Sequence, residues 1–135
     1  MHHYLIIDDD DVFNFLHTKA IRKVEKDSVI EAFASSPKGV EHLKSLFASN
    51  AKLPDILLLD IRMPEMNGFE VLDELIKLPS EKLATMKIYM LTSSLDDRDK
   101  NRSKDYSIVS GFLSKTLSDS MIRRILEGNE EWITD

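Results

Sequence analysis

The chain contains no cysteine, which excludes disulfide frameworks, thiol catalysis and thiolate metal sites. Glycine and proline number only four each, and no internal repeat, low-complexity run or linker is found. The longest aliphatic run falls far short of the ~20 residues a membrane helix needs, so no membrane partner is expected. The opening Met1-His2-His3-Tyr4 runs directly into a strand pattern, leaving no room for a signal peptide, and a cytoplasmic protein is expected. Excess basic charge is also missing. A formal net charge of −6 without a basic stripe argues against nucleic-acid binding. What remains is ordinary for a soluble globular protein, with 42% apolar and 31% charged residues in a 135-residue chain that fits one domain.

One stretch organises the rest. Pro54-Asp55-Ile56-Leu57-Leu58-Leu59-Asp60 has four consecutive aliphatic residues between two acids, the pattern of a strand buried on both faces inside a parallel sheet. Asp60 then stands at the carboxyl edge of a central strand, where open α/β sheets place their ligands. Pro64 and Gly68 predict a tight loop before the next helix.

Four more strands are predicted at residues 4–7, 28–33, 87–91 and 108–113. Between and after them, helical spacing appears in Val12, Phe13, Leu16, Ala20, Ile21 and Val24. It recurs in Val40, Leu43, Leu46 and Phe47, in Phe69, Leu72, Leu75 and Ile76, and in Met121, Ile122, Ile125 and Leu126. Ser36 is expected to cap the second helix with Pro37 at its first position, Ser118 to cap the last, and residues 80–86 to form a loop or irregular turn. Residues 96–105 are almost entirely polar, so the helix expected there by alternation has hardly any apolar face. Residues 129–135 read as an acidic C-terminal tail carrying the one tryptophan, Trp132. Five strands each followed by a helix imply a three-layer α/β sandwich, and the flavodoxin-like five-stranded parallel sheet of order 2-1-3-4-5 with five helices is the commonest such topology at this length.

Chemistry gathers at one edge of that sheet. Asp8, Asp9, Asp10 and Asp11 follow the first strand, and one of Asp10 or Asp11 can cap the next helix, but capping does not account for all four. Close carboxylates repel by roughly 1–4 kcal/mol per pair, so a cation is expected. The 2-1-3-4-5 order brings Asp8 and Asp9 beside Asp60, with Thr92 ending the fourth strand and Lys115 following the fifth. Three converging carboxylates form a hard oxygen site suited to Mg²⁺, and Asp60 can attack phosphorus as a nucleophile. A bound Mg²⁺, the Lys115 ammonium and the Thr92 hydroxyl can share the charge of the phosphoryl oxygens. Each residue has a plainer explanation, since Thr ends turns, Lys seeks solvent and Asp caps helices. Five such residues at the ends of the right strands are much harder to explain that way.

These stretches resemble the motifs of response-regulator receiver domains. They are Ile7-Asp8-Asp9-Asp10, the run from Asp60-Ile61-Arg62-Met63-Pro64-Glu65 through Met66-Asn67-Gly68-Phe69-Glu70, Leu91-Thr92-Ser93, and Ser110-Gly111-Phe112-Leu113-Ser114-Lys115. The resemblance spans about residues 4–127 and implies a receiver domain over 1–128 of the stand-alone type, without a DNA-binding or enzymatic output domain. It implies that Asp60 is the phosphoacceptor, that Asp9 binds Mg²⁺ with Asp8 assisting, and that Asp60 and the carbonyl of Arg62 complete the metal ligands. Thr92 and Phe112 would be the switch residues and Lys115 the phosphoryl-binding lysine. The implied role is that of a signalling protein in a two-component phosphorelay rather than a metabolic enzyme, one that catalyses its own aspartyl phosphorylation and dephosphorylation. A histidine kinase or histidine phosphotransfer protein would donate the phosphoryl group, and a downstream protein would read it. That contact would use the face of the fourth helix, fifth strand and fifth helix. The protein would be a monomer or a phosphorylation-dependent dimer.

Two departures stand out. The family usually has proline after the lysine, in a cis peptide, where this chain has Thr116. A cis bond before a non-proline residue costs roughly 2.5–4 kcal/mol, so a trans Lys115–Thr116 bond is expected. The helix over 96–105 also lacks the small apolar anchor usual near Ser103. Two other readings compete. An Asp-nucleophile phosphohydrolase needs a second Asp two residues after the nucleophile, where this chain has Arg62, and it needs a cap insertion for its substrate. An inactive pseudo-receiver scaffold would not need Asp8, Asp9, Asp60, Thr92 and Lys115 together.

Overall fold

A computed structural model describes residues 1–94, 96–128 and 132–134. The elements run β1 (His3–Ile7), α1 (Asp11–Val24), β2 (Val29–Phe33), α2 (Ser36–Ala48), β3 (Ile56–Asp60) and α3 (Gly68–Leu75). They continue as α4 (Ser80–Leu83), β4 (Lys87–Thr92), α5 (Asp97–Lys104), β5 (Val109–Ser114), α6 (Asp119–Leu126) and β6 (Ile133–Thr134). All strand pairs are parallel and the sheet order is β2-β1-β3-β4-β5-β6. The fold is thus flavodoxin-like, but with six strands rather than five and six helices rather than five among the described residues.

Alternation along the strands builds two cores. Leu5, Ile7, Leu57, Leu59, Ile88, Met90 and Phe112 face α2 and α3, which contribute Val40, Leu43, Phe69, Leu72 and Leu75. Tyr4, Ile6, Leu58, Tyr89, Leu91 and Leu113 face α1 and α6, which contribute Ile21, Met121, Ile122 and Ile125. Every residue of β3 is buried, as a central parallel strand requires.

Several local expectations change. The segment expected as a loop contains α4, a single turn whose buried Leu83 joins the first core; four residues are too short for a period to register. The cap of α2 is Ser35, one residue earlier than expected, with its Oγ accepting from the Lys38 N–H at 3.4 Å. The apolar period of α1 also misleads. Val12, Phe15 and Leu16 are exposed, while its buried positions are Asn14, His17 and Ile21, because the first half of α1 lies against the polar end of the sheet. Asp10 caps α1, accepting from the N–H groups of Val12 and Phe13. In α3 the Asn67 side chain and Glu70 form a reciprocal capping box.

As expected, α5 has no apolar anchor. Its buried positions are Asp99 and Ser103, and Ser103 Oγ donates to the Asp99 carbonyl at 2.8 Å. Arg102 covers the Phe69 ring at 4.2 Å, and Tyr106, just past the helix, stacks on the same ring.

Leu95, residues 129–131 and Asp135 lie outside the described residues, so the expected acidic tail is described only at Trp132-Ile133-Thr134. There the expectation of an appended tail is corrected: β6 pairs with Gly111 and Phe112 of β5. Ile133 is buried in the second core, and Trp132 stacks on Phe112 with ring centroids 6.4 Å apart. Two residues carry no periodicity, and their pairing depends on a notch elsewhere. A Cβ at Gly111 would lie 2.7 Å from the Ile133 carbonyl oxygen and 3.0 Å from its Cβ, so glycine makes the room for β6. Gly111→Ala is accordingly expected to detach this segment. Trp132 is the one tryptophan of the chain, so its emission reports the result directly, and an unchanged emission maximum and iodide quenching would contradict the fit.

Candidate functional site

Parallel register sets the site. Ile7 pairs with Leu59, Asp60 with Leu91 and Thr92 with Ser114, so Asp8, Asp60, Thr92 and Lys115 emerge at one level along the carboxyl edge of four adjacent strands. Backbone bonds hold the arms in place. The Asp8 N–H donates to the Phe33 carbonyl at 3.1 Å, Ile61 to Leu91 at 3.2 Å and Lys115 to Thr92 at 2.9 Å. Asp8 Oδ1 accepts from the Asp10 N–H at 2.9 Å, and Asn14 Nδ2 donates to the Asp8 carbonyl at 2.9 Å.

The loop after β3 closes against the same edge. Glu65 adopts φ 66°, and the Met66 N–H donates to the Pro64 carbonyl at 2.7 Å, so the sharp reversal sits at Glu65. Gly68 then donates to the Ile61 carbonyl at 2.8 Å. A Cβ on Gly68 would come within 2.5 Å of the Asp60 carbonyl oxygen, so glycine is needed for α3 to start this close to β3.

Charge is concentrated here. Lys115, nearly buried, places Nζ 2.8 Å from Asp8 Oδ2 and 3.2 Å from Asp60 Oδ1, over the Phe13 ring at 4.3 Å. Burial disfavours this ammonium, but its contacts with Asp8 and the charge of Asp60 outweigh that and hold its pKa above the ordinary lysine value. Burial, then the Asp8 charge, push Asp60 up to about 7 against the opposing pull of Lys115, with Asp9 adding to the rise. Asp8, Asp9 and Asp60 each offer an oxygen, and these oxygens all lie within 4.8 Å of one another. An all-carboxylate set with one face exposed through Asp9 suits a hard divalent cation, which would offset the Asp8 and Asp9 charges that add to the effect of burial on Asp60.

The remaining site residues fall in different surroundings. Thr92 is buried, and its Oγ1 accepts from the Ser94 N–H at 3.0 Å. Phe112 is buried in the first core beneath Trp132. The Arg62 side chain is paired on α5, where its Nη2 donates to Asp99 Oδ2. The Lys115–Thr116 bond is cis, contrary to the expected trans bond. The expectation weighed the isolated bond alone, whereas Lys115 is held at both its backbone N–H and its ammonium.

Four participants escaped the sequence reading. Asn14 and Phe13 line the site from α1, and Asp99 draws Arg62 away from a position 37 residues earlier. His17 is fully buried with neither ring nitrogen hydrogen-bonded, and burial lowers its pKa to about 4, so it is neutral at pH 7. Only the spacing of Asn14 and His17 on the buried side of α1 signals them, and apolar periodicity hides it.

A parallel sheet with an acidic triad, a threonine and a lysine at one edge defines a receiver, and the chain belongs to the response regulator receiver domain family, whose pattern it matches over residues 4–127. Among solved structures it is similar to a two-component response regulator from Cytophaga hutchinsonii, 30% identical with a TM-score of 0.86, over 93% of this chain and 94% of that one. A response regulator receiver protein from Dyadobacter fermentans is 27% identical with a TM-score of 0.81, over 93% and 95% of the two chains. The chemotaxis protein CheY of Listeria monocytogenes is 34% identical over 105 residues, 77% of this chain and 82% of that protein. No helix among the described residues is long and apolar enough to cross a membrane.

The raised Asp60 has a stability consequence in metal-free buffer. A carboxyl whose pKa rises on folding favours the native state below its unfolded value near 3.8, and that contribution disappears as pH climbs through about 7. Asp60→Asn is therefore expected to raise Tm at pH 8 by ~5 °C or more and to leave it nearly unchanged at pH 4. Calorimetry with chelator present checks this; an Asp60→Asn gain independent of pH would contradict it.

Proposed function

We propose that this chain is a phosphoacceptor receiver in which Asp60 accepts a phosphoryl group from a phosphohistidine of a histidine kinase or histidine phosphotransfer protein. The observation that carries this is the pairing of Lys115 with both Asp8 and Asp60 in one nearly buried cluster beside the third acid, Asp9.

The chain's own groups divide the work. An Asp60 carboxylate oxygen forms the new bond to phosphorus as the phosphorus–nitrogen bond breaks and its electron pair returns to the donor imidazole. Asp60 must be ionised to do so, and the Lys115 ammonium favours that form. Lys115, with Nζ 3.2 Å from Asp60 Oδ1, would bind one phosphoryl oxygen, and the Thr92 hydroxyl, at the end of the adjacent strand, would donate to another. Asp8, Asp9, Asp60 and the Arg62 carbonyl would hold Mg²⁺, which when bound offsets the carboxylate charge and the charge of the phosphoryl oxygens. Hydrolysis of the acyl phosphate by water returns Asp60 to its carboxylate.

Thr92 and Phe112 serve as the switch, and the face formed by α5, β5 and α6 as the contact surface for a downstream protein, in a monomer or a phosphorylation-dependent dimer. Residues 1–128 form the receiver, in the cytoplasm, with signalling by protein–protein contact. A phosphohydrolase is not supported, because position 62 carries an arginine engaged with Asp99 rather than a second acid. Nor is a pseudo-receiver, since the complete acid and lysine set is retained.

Incubation with Mg²⁺ and acetyl phosphate is expected to add one phosphoryl group by intact mass. Asp60→Asn abolishes the addition, and Lys115→Ala or chelation reduces it at least ~10-fold, about 1.4 kcal/mol in the transition state. Mass gain by Asp60→Asn, or labelling indifferent to chelator, would overturn the assignment.

A further inference from the structure

We propose that Asp99 is a positioning residue for the phosphoryl chemistry, and that Asp99 and a phosphoryl group on Asp60 compete for the single guanidinium of Arg62. The proposal rests on Asp60 being the phosphoacceptor.

Asp99 is 6% exposed on a helix whose buried positions are otherwise only Ser103. A buried carboxylate needs a cation or several donors, and its hydrogen-bonded cation is Arg62, whose own side chain is 64% exposed. An exposed arginine gains little from a surface pair, but this partner is buried and sits at the inner side of α5. The charges acting on the Asp60 carboxyl are those of Asp8, Lys115 and Asp9. The Arg62 charge is felt instead at the N-terminal end of α5, where it adds to the Arg98 hydrogen bonds that hold the Asp96 carboxyl low. In the resting protein, then, Arg62 is tied to α5.

It is not bound to stay there. Arg62 lies two residues beyond Asp60, a chain span of ~7 Å at most, which an arginine side chain can also cover. A phosphoryl group brings close to two negative charges and a geometry suited to the planar guanidinium, so it is a strong rival for one carboxylate. If Arg62 leaves, Asp99 stays buried without its cation, and α5 loses the polar tether that stands in for an apolar anchor. The same exchange works in reverse: whatever holds Arg62 on Asp99 keeps the guanidinium off the phosphoryl group, by the reciprocity of coupled equilibria. Dephosphorylation proceeds as a water oxygen bonds to phosphorus while the bond from phosphorus to the Asp60 oxygen breaks, releasing inorganic phosphate. A guanidinium over the open side of the phosphoryl group hinders that water. Asp99, by drawing it away, sets the lifetime.

The test is a double-mutant cycle on single-turnover decay after labelling with acetyl phosphate and Mg²⁺. Asp99→Asn is expected to slow decay at least ~3-fold, Arg62→Ala to speed it by a similar factor, and Asp99→Glu to decay like the wild type. In the Arg62→Ala background, Asp99→Asn should have no further effect on decay. A merely structural role for Asp99 would persist without Arg62, so an undiminished effect in the double variant, or equal decay of wild type and Asp99→Asn, overturns the proposal. A second readout needs no phosphoryl group: amide exchange in α5 of the unlabelled protein should be faster in Arg62→Ala than in the wild type, and unchanged exchange overturns the tether. Failure of the wild type to be labelled at all would overturn the phosphoacceptor reading and this inference with it, whereas normal labelling with unaltered decay overturns only the inference.

Discussion

Three carboxylates against one ammonium, at the open end of an otherwise apolar sheet, is the constraint on which the rest of the structure turns. Asp8 and Asp60 are both buried, and Lys115 stands between them. Removing ionised groups from water costs several kcal/mol each unless they are paired. One lysine cannot compensate three acids, and Asp60 is raised first by its burial and then by the neighbouring Asp8 charge. Parallel pairing is what makes this imbalance possible, because it delivers the ends of β1, β3, β4 and β5 to the same level. Stability and chemistry therefore oppose each other at this edge, and the two apolar cores beneath it hold the strand ends in place despite the repulsion.

The elements most easily read from the chain were those whose burial is uniform. The run Ile56-Leu57-Leu58-Leu59 announces a central strand without help from its neighbours, and the acids and lysine at strand ends followed from topology once the strands were placed. What could not be read depends on partners distant in sequence. Ile133 becomes part of a strand only because Gly111 leaves it room. Asp99 looks like one more surface acid in a charged helix until Arg62 is found against it. The inward side of α1 was misread for a different reason: Asn14 and His17 are polar residues in buried positions, and a search for apolar spacing selects Val12 and Leu16 instead. The cis Lys115–Thr116 bond carries no local signal either, since the residue after the lysine is not proline.

The helices divide by how they are held. α3 inserts Phe69, Val71, Leu72 and Leu75 into the first core, and α6 inserts Met121, Ile122 and Ile125 into the second. By contrast α5 relies on an ion pair, a back-bonding serine and a cation over an aromatic ring. Polar attachments of this kind respond to charge, whereas apolar ones do not. On the proposed exchange, a change of charge at Asp60 reaches α5 through Arg62 and Asp99.

The contact between Gly68 and the Asp60 carbonyl bears on how a mutational survey of this protein would be interpreted. Gly68 carries no functional group and takes no part in any reaction, yet any side chain there would press on the backbone that carries Asp60. In a signalling screen such a position would score like a reacting residue. In an abundance screen it would score as a loss as well, because the atoms a Cβ would meet, the Asp60 carbonyl oxygen and the Ile61 Cα, belong to the backbone. Sorting positions by both scores would then part this chemically silent glycine, costly in each, from the proposed phosphoacceptor Asp60, and its distance to a carbonyl oxygen is the reason.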